Sequence, residues 1–204
     1  MTSVLQIPTQ DTAGLIQRIQ TATILWMTVE ASVSLSAAWT AHSPALLAFG
    51  GDSAIELLSA IVVLWRFRSS AQERSEKQVT RIAAGLLFIL AAYVTVISAM
   101  TLMGHRKART TYLGIAILVG AAAIMPWLAK EKRRLSAVTG SAALRADAAE
   151  SALCAYLSVI ALIGLGINAI WHIRWADPLA ALVIVPLILW EGREAMRGKA
   201  CGCC

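Results

Sequence analysis

The sequence predicts an all-α integral membrane protein, a bundle of six transmembrane helices, and three observations carry that prediction. The 204 residues are 58% hydrophobic and only 15% charged, with a mean hydropathy of +0.67. That balance fits a bilayer-embedded chain far better than a soluble domain. Six apolar stretches approach the roughly 20 residues that a helix needs to cross a bilayer. Between them fall short segments rich in charge or turn residues, where a chain can leave the membrane.

The first helix is expected over 16–40, ending at "TAHSPA", and the second over 45–66, ending in "RFRSSAQERSEKQ". The third, over 81–103, stops before "GHRKART", and the fourth, over 111–129, before "KEKRR". The fifth covers 141–169 up to "WHIRWADP", and the sixth covers 175–192. This divides the chain into an N-terminal segment (1–15), a transmembrane domain (16–193) and a Cys-rich tail (194–204). The start, "MTSVLQIPTQD", has no basic region and carries Pro8 and Asp11, so no cleavable signal peptide is expected. Cys154 falls in an apolar segment while Cys201, Cys203 and Cys204 close the sequence, which is not the disulfide framework of a small secreted domain.

The net charge of +6 reads as topology. The basic residues lie between apolar segments and form no face for nucleic acid. If both termini share a side, that side holds Arg18, Arg66, Arg68, Arg74, Lys77, Arg81, Lys130, Lys132, Arg133, Arg134, Arg193, Arg197 and Lys199, thirteen in all. The other side holds four, Arg106, Lys107, Arg109 and Arg174. Arg145 stands near the start of the fifth helix. Thirteen against four puts both termini in the cytoplasm, with the chain in the plasma (inner) membrane.

The second helix raises the functional question. "LLAFGGDSAIELLSAIVVLWRF" is apolar enough to span, yet it contains Asp52 and Glu56. A carboxylate at the bilayer centre costs on the order of 2.5–3.5 kcal/mol or more. At i and i+4 the two share a helix face. On the fifth helix Asp147, Glu150, Ser151 and Cys154 follow one another at spacings that also suit one face, and Glu30 adds an acid within the first helix. "GGDSAIELLSA" and "RADAAESALCA" both place acids early in an apolar helix, the weak likeness expected of a three-helix repeat with sites on corresponding helices. No Lys or Arg is expected in mid-helix to pair with these acids, apart from the marginal Arg145. Unpaired buried carboxylates protonate or recruit a cation, and a divalent metal answers the electrostatics best. The plainer readings differ by residue. Asp177 and Glu191 stand near helix ends, where an acid is as readily an interfacial group. Glu30 could be a packing hydrogen-bonder, a proton carrier or a ligand. Cys154 alone would be a small core residue, and Ser151 reads as a helix-packing residue.

Six helices, cytoplasmic termini, an acid pair on the second helix, a further pair on the fifth and "WADPLAAL" opening the sixth resemble the cation diffusion facilitator (cation efflux) family. The resemblance covers roughly residues 15–195 and implies a carrier that exports zinc or related divalent metals from the cytoplasm, in exchange for protons and as a homodimer. The family's pattern is Asp or His, three residues, then Asp on each of the two helices. Asp52 and Glu56 match the first pair, with Glu in place of the second Asp. Counting back from "WADP" gives Glu150 and Cys154 as the other pair, while the likeness of "RADAAES" to "GGDSAIE" gives Asp147 and Ser151. The implied metal residues are therefore Asp52, Glu56, Asp147, Glu150, Cys154 and Glu30. The family's large cytoplasmic metal-binding domain has no counterpart after the sixth helix, so the sequence looks like a short, transmembrane-only relative. Carboxylates favour harder ions such as Mn and Fe(II), and a thiolate pulls toward Zn, Cd and Co, which leaves the metal open.

The tail "GKACGCC" could capture soft metal through Cys201, Cys203 and Cys204, or be a solvated or lipidated tail. His42 and His105 fall in loops on the far side and read as surface residues. The expected function is divalent metal efflux, with metal ion and protons as substrates, no prosthetic group, no nucleic acid and no enzymatic activity, since no nucleophile–base set or phosphate loop is present. Two rivals are a proton-coupled carrier of organic cations, favoured slightly by Trp26 and Trp39, and a non-transporting metal sensor or accessory protein.

Overall fold

The computed structural model of the chain describes residues 10–68, 73–105, 108–139 and 142–196. The first nine residues and the tail that carries Cys201, Cys203 and Cys204 lie outside the described residues. Six helices form: α1 (Gln10–Ala41), α2 (Pro44–Arg68), α3 (Glu73–Leu102), α4 (Tyr112–Thr139), α5 (Ala142–Trp171) and α6 (Ala176–Met196). No strand occurs among the described residues. Helix number and order agree with the sequence reading, and the fold is an all-α membrane bundle. Arg81–Leu102, Tyr112–Val138 and Asp147–Trp171 are long and apolar enough, by length and composition, to cross a membrane.

α1 begins at Gln10, inside the expected N-terminal segment, and α6 runs on to Met196, but the two largest differences lie in α3 and α4. α3 starts at Glu73, and α4 continues through Pro126 to Thr139, so most of 67–80 and of 130–140 is helix, where loops were expected. "ERSEKQ" and "KEKRRLSA" are built largely of good helix formers. In α4, moreover, Leu128, Lys132 and Leu135 are buried at i, i+4 and i+7, so the packed stripe continues through the charge run.

The helix ends are specified locally. After α1, His42 takes a left-handed conformation (φ 53°) and the Ser43 amide bonds the Ala38 carbonyl at 3.2 Å, a Schellman closure. Ser43 then caps α2, accepting from the Leu46 amide at 3.2 Å, and Pro44 fills the first helical position. Gly104 (φ 82°) closes α3 in the same way, with the His105 amide on Met100 O at 3.1 Å.

The extensive helix pairings are α4 with α5, α3 with α6 and α1 with α2. α2 also touches α3, α5 and α6, which makes it the central helix. Small residues allow the close approaches. A Cβ on Gly50 would lie 2.8 Å from Ser34 Cβ of α1, and one on Gly164 would collide with Ala180 of α6. The core is built of Leu46, Phe49, Leu118, Leu128, Leu157, Leu165, Ile184 and Ile188 with many alanines. The turns after α1, α3 and α5 gather at one end, tied by Arg109 N to Ala41 O at 2.8 Å and by Ser43 Oγ to Asp177 Oδ1 at 2.7 Å. Trp39, Tyr112, Trp171 and Trp175 stand exposed near that end, as aromatic side chains do at a membrane–water interface.

Candidate metal centre

Because α2 is central, its buried face looks into the bundle. Phe49, Asp52, Ser53 and Glu56 occupy that face; Asp52 and Ser53 are fully buried and Glu56 is 9% exposed. Glu191 of α6 joins them. Asp52, Glu56 and Glu191 each offer a carboxylate oxygen, and the three oxygens all lie within 4.8 Å of one another. Both oxygens of Asp52, Oε1 of Glu56 and Oε2 of Glu191 are buried with no hydrogen-bond partner. Two ionised carboxylates at such separations repel by about 3–4 kcal/mol at an effective dielectric near 20. Such a group is stable only when protons or a cation neutralise it. It is the one group of three or more His, Cys, Asp or Glu side chains with metal-ligand spacing among the described residues.

The remaining acids separate into two other settings. Glu30, fully buried on α1, accepts from Trp26 Nε1 at 2.7 Å, from Ser53 Oγ at 2.7 Å and from the Cys154 thiol at 3.2 Å. The thiol thus faces Glu30 and is not one of the three-carboxylate group. Asp147 is bound on both oxygens, by Lys132 Nζ at 2.8 Å and by Gln20 Nε2 at 2.6 Å. Lys132 Nζ also donates to Ser151 Oγ at 2.8 Å. This corrects the expectation that no mid-helix cation pairs with the acids. Lys132 belongs to α4, fully buried, and not to a loop.

Glu150 is exposed and makes no hydrogen bond or ion pair among the described residues. It borders a crevice with Gln20, Thr23 and Met27 of α1, Met125 of α4, and Asp147 and Ser151 of α5; Glu56 is also in the lining. Glu150 and Glu56, one member of the three-carboxylate group, thus line the same crevice. Neither fifth-helix pair enters that group: Glu150 and Cys154 diverge, and Asp147 and Ser151 share Lys132. The aromatic side chains weighed for an organic cation lie elsewhere, since Trp39 is 84% exposed and Trp26 is bonded to Glu30. His42 and His105 are exposed.

Glu191, near a helix end in the sequence, turns out to belong with the buried acids of α2. Its signal is its position directly after the apolar run "ALVIVPLILW" and before Gly192. A Cβ on Gly192 would lie 3.4 Å from Leu87 and Phe88 of α3, so this small residue lets α6 lie close on α3 with Glu191 at the bundle's interior.

The chain is 26% identical over 165 residues to an uncharacterized transporter of Synechocystis sp., covering 76% of this chain and 53% of that protein. It is 24% identical over 170 residues to the manganese efflux system protein MneS of Bacillus subtilis, covering 78% of this chain and 58% of that one. It thus spans little more than half the length of these relatives. The family model for the cation efflux transmembrane domain matches residues 21–198, nearly the whole helical bundle that carries the three carboxylates, and the chain belongs to the cation efflux family.

Proposed function

We propose that this protein exports a divalent metal ion from the cytoplasm, binding it between Asp52, Glu56 and Glu191. The observation that carries the reading is the meeting of three carboxylates within 4.8 Å, four of their oxygens buried and unpartnered, in a member of the cation efflux family. Oxygen-only donor sets suit harder ions, which favours Mn2+ over Cd2+; the similarity to a manganese efflux protein agrees with this. Glu150, at the mouth of the crevice, receives the ion. Glu30, Asp147 and Cys154 act beside the centre through the contacts described above. Both termini are cytoplasmic, from the Lys/Arg asymmetry, of which Lys132 is no longer a part. Rocking of the bundle exposes the centre to the far side, and protons neutralise the emptied carboxylates on the return. The protein works as a homodimer, as a transporter and not an enzyme, and the tail cysteines offer a place for metal capture.

Proteoliposomes tested with Mn2+, Zn2+, Cd2+ and Co2+ examine this reading directly. Mn2+ uptake is expected in the parent protein and at least a tenfold loss in Asp52→Asn and Glu56→Gln, with folding retained. Unchanged transport in both variants would overturn it.

A further inference from the structure

Among the Lys and Arg side chains that are described, Lys132 alone is fully buried. A buried ammonium is costly unless its hydrogen bonds are made to an anion, and Lys132 makes them to Asp147 Oδ1 and Ser151 Oγ, each at 2.8 Å. Gln20 takes the second oxygen of Asp147 at 2.6 Å. The result is asymmetric. Asp147 and Glu150 border the same crevice, yet among the described residues Asp147 is satisfied on both oxygens and Glu150 on neither.

Without the ammonium, Asp147, Glu150 and Ser151 of α5 and Gln20 of α1 would present a set of oxygen donors lining one crevice, the kind of set that holds a hard divalent ion. We propose that Lys132 is a built-in counter-cation that fixes the number of divalent ions held at one. By occupying Asp147 and Ser151 it withholds both from an incoming ion and leaves Glu150 as the unpaired carboxylate on the way to Glu56. Lys132 is thus a positioning residue that acts through Asp147. This inference rests on the reading of Asp52, Glu56 and Glu191 as the cargo site.

The test is Mn2+ binding, by equilibrium dialysis with metal quantified, to the full chain in lipid nanodiscs. The parent binds one ion per protomer. In Lys132→Gln the stoichiometry rises to two, and adding Asp147→Asn returns it to one; Lys132→Arg keeps it at one. Asp147→Asn alone leaves the ammonium without its carboxylate beside the crevice that Glu150 borders and raises the Kd for the single ion at least tenfold, an effect that Lys132→Gln in the same chain reverses. A merely structural lysine would give loss of folding or of binding, never a second ion. Lys132→Gln that melts like the parent and binds one ion overturns the inference alone. Where that variant does not fold, the inference is overturned if the double variant fails to restore the affinity lost in Asp147→Asn. A parent that binds no Mn2+ overturns both this inference and the cargo-site reading.

Discussion

Glu191 of α6 and Asp52 of α2 bring carboxylate oxygens within 4.8 Å of each other, with Glu56 within the same distance. Neither Asp52 oxygen has a hydrogen-bond donor. Two like charges in such a position oppose the packing of α2 on α6 unless something between them is positive. The relationship places Glu191 with Asp52 and Glu56 in one group of carboxylates, although sequence spacing does not single it out.

Glu191→Gln is therefore expected to weaken Mn2+ binding at least tenfold, as Asp52→Asn does, while the metal-free protein melts at or above the parent's temperature. Removing one charge takes away ligand strength and relieves repulsion among buried carboxylates. Titration with Mn2+ followed by thermal unfolding measures both effects. A metal-induced stabilisation equal to the parent's would remove Glu191 from the centre.

Topology gives a second expectation. Met103, exposed in the turn after α3, and Met196, exposed at the end of α6, lie at opposite ends of the bundle. In a background where the native cysteines are replaced, Met103→Cys should react with an impermeant thiol reagent added to intact cells. Met196→Cys should react only after permeabilisation. The reverse pattern would place both termini outside.

The legibility of this site follows from physical causes. Asp52 and Glu56 are visible because two acids at i and i+4 interrupt an apolar span, where each is costly. Glu191 is not, because a single acid near a helix end is cheap in water, and only the packing of α6 on α2 shows that it turns inward. Lys132 was hidden in "KEKRR", a run that reads as a cytoplasmic loop. The signal that it belongs to the core was available: it continues the stripe of Leu128 and Leu135 at helical spacing. Local spacing does not separate the fifth-helix registers, because Asp147, Glu150, Ser151 and Cys154 share one broad face. Their partners on α1 and α4 divide them, and partners on other helices are not encoded in local spacing. Helix number and order were legible throughout, from the apolar stretches taken together with the charged and turn-rich segments between them.

Metal and protons are expected to compete. A carboxylate must be deprotonated to ligate, so the apparent Kd for Mn2+ should rise as pH falls, and each ion bound should release protons. Calorimetric titration in buffers of different ionisation enthalpy counts those protons. In vesicles, a gradient with the cytoplasmic face less acidic should accelerate efflux. Binding that is the same between about pH 5 and pH 8 would leave proton exchange without a basis.

The contact between Cys154 and Glu30 gives the last expectation. The thiol donates to Glu30 Oε1 at 3.2 Å, beside Ser53 and Trp26 on the same carboxylate. A serine at this position keeps a donor, so Cys154→Ser should lower Mn2+ and Cd2+ transport equally and by less than about threefold, on the scale of one weakened neutral hydrogen bond. Cys154→Ala removes one of three donors from a fully buried carboxylate that keeps Ser53 and Trp26 and should destabilise by about 0.5–1.5 kcal/mol, again without altering metal preference. Both variants separate a packing partner from a ligand, because a ligand thiolate confers preference for soft ions. Initial rates for the two metals, taken with the melting temperature, make the comparison. A loss confined to Cd2+ in Cys154→Ser would put the thiol in the metal's coordination sphere and Glu30 with it.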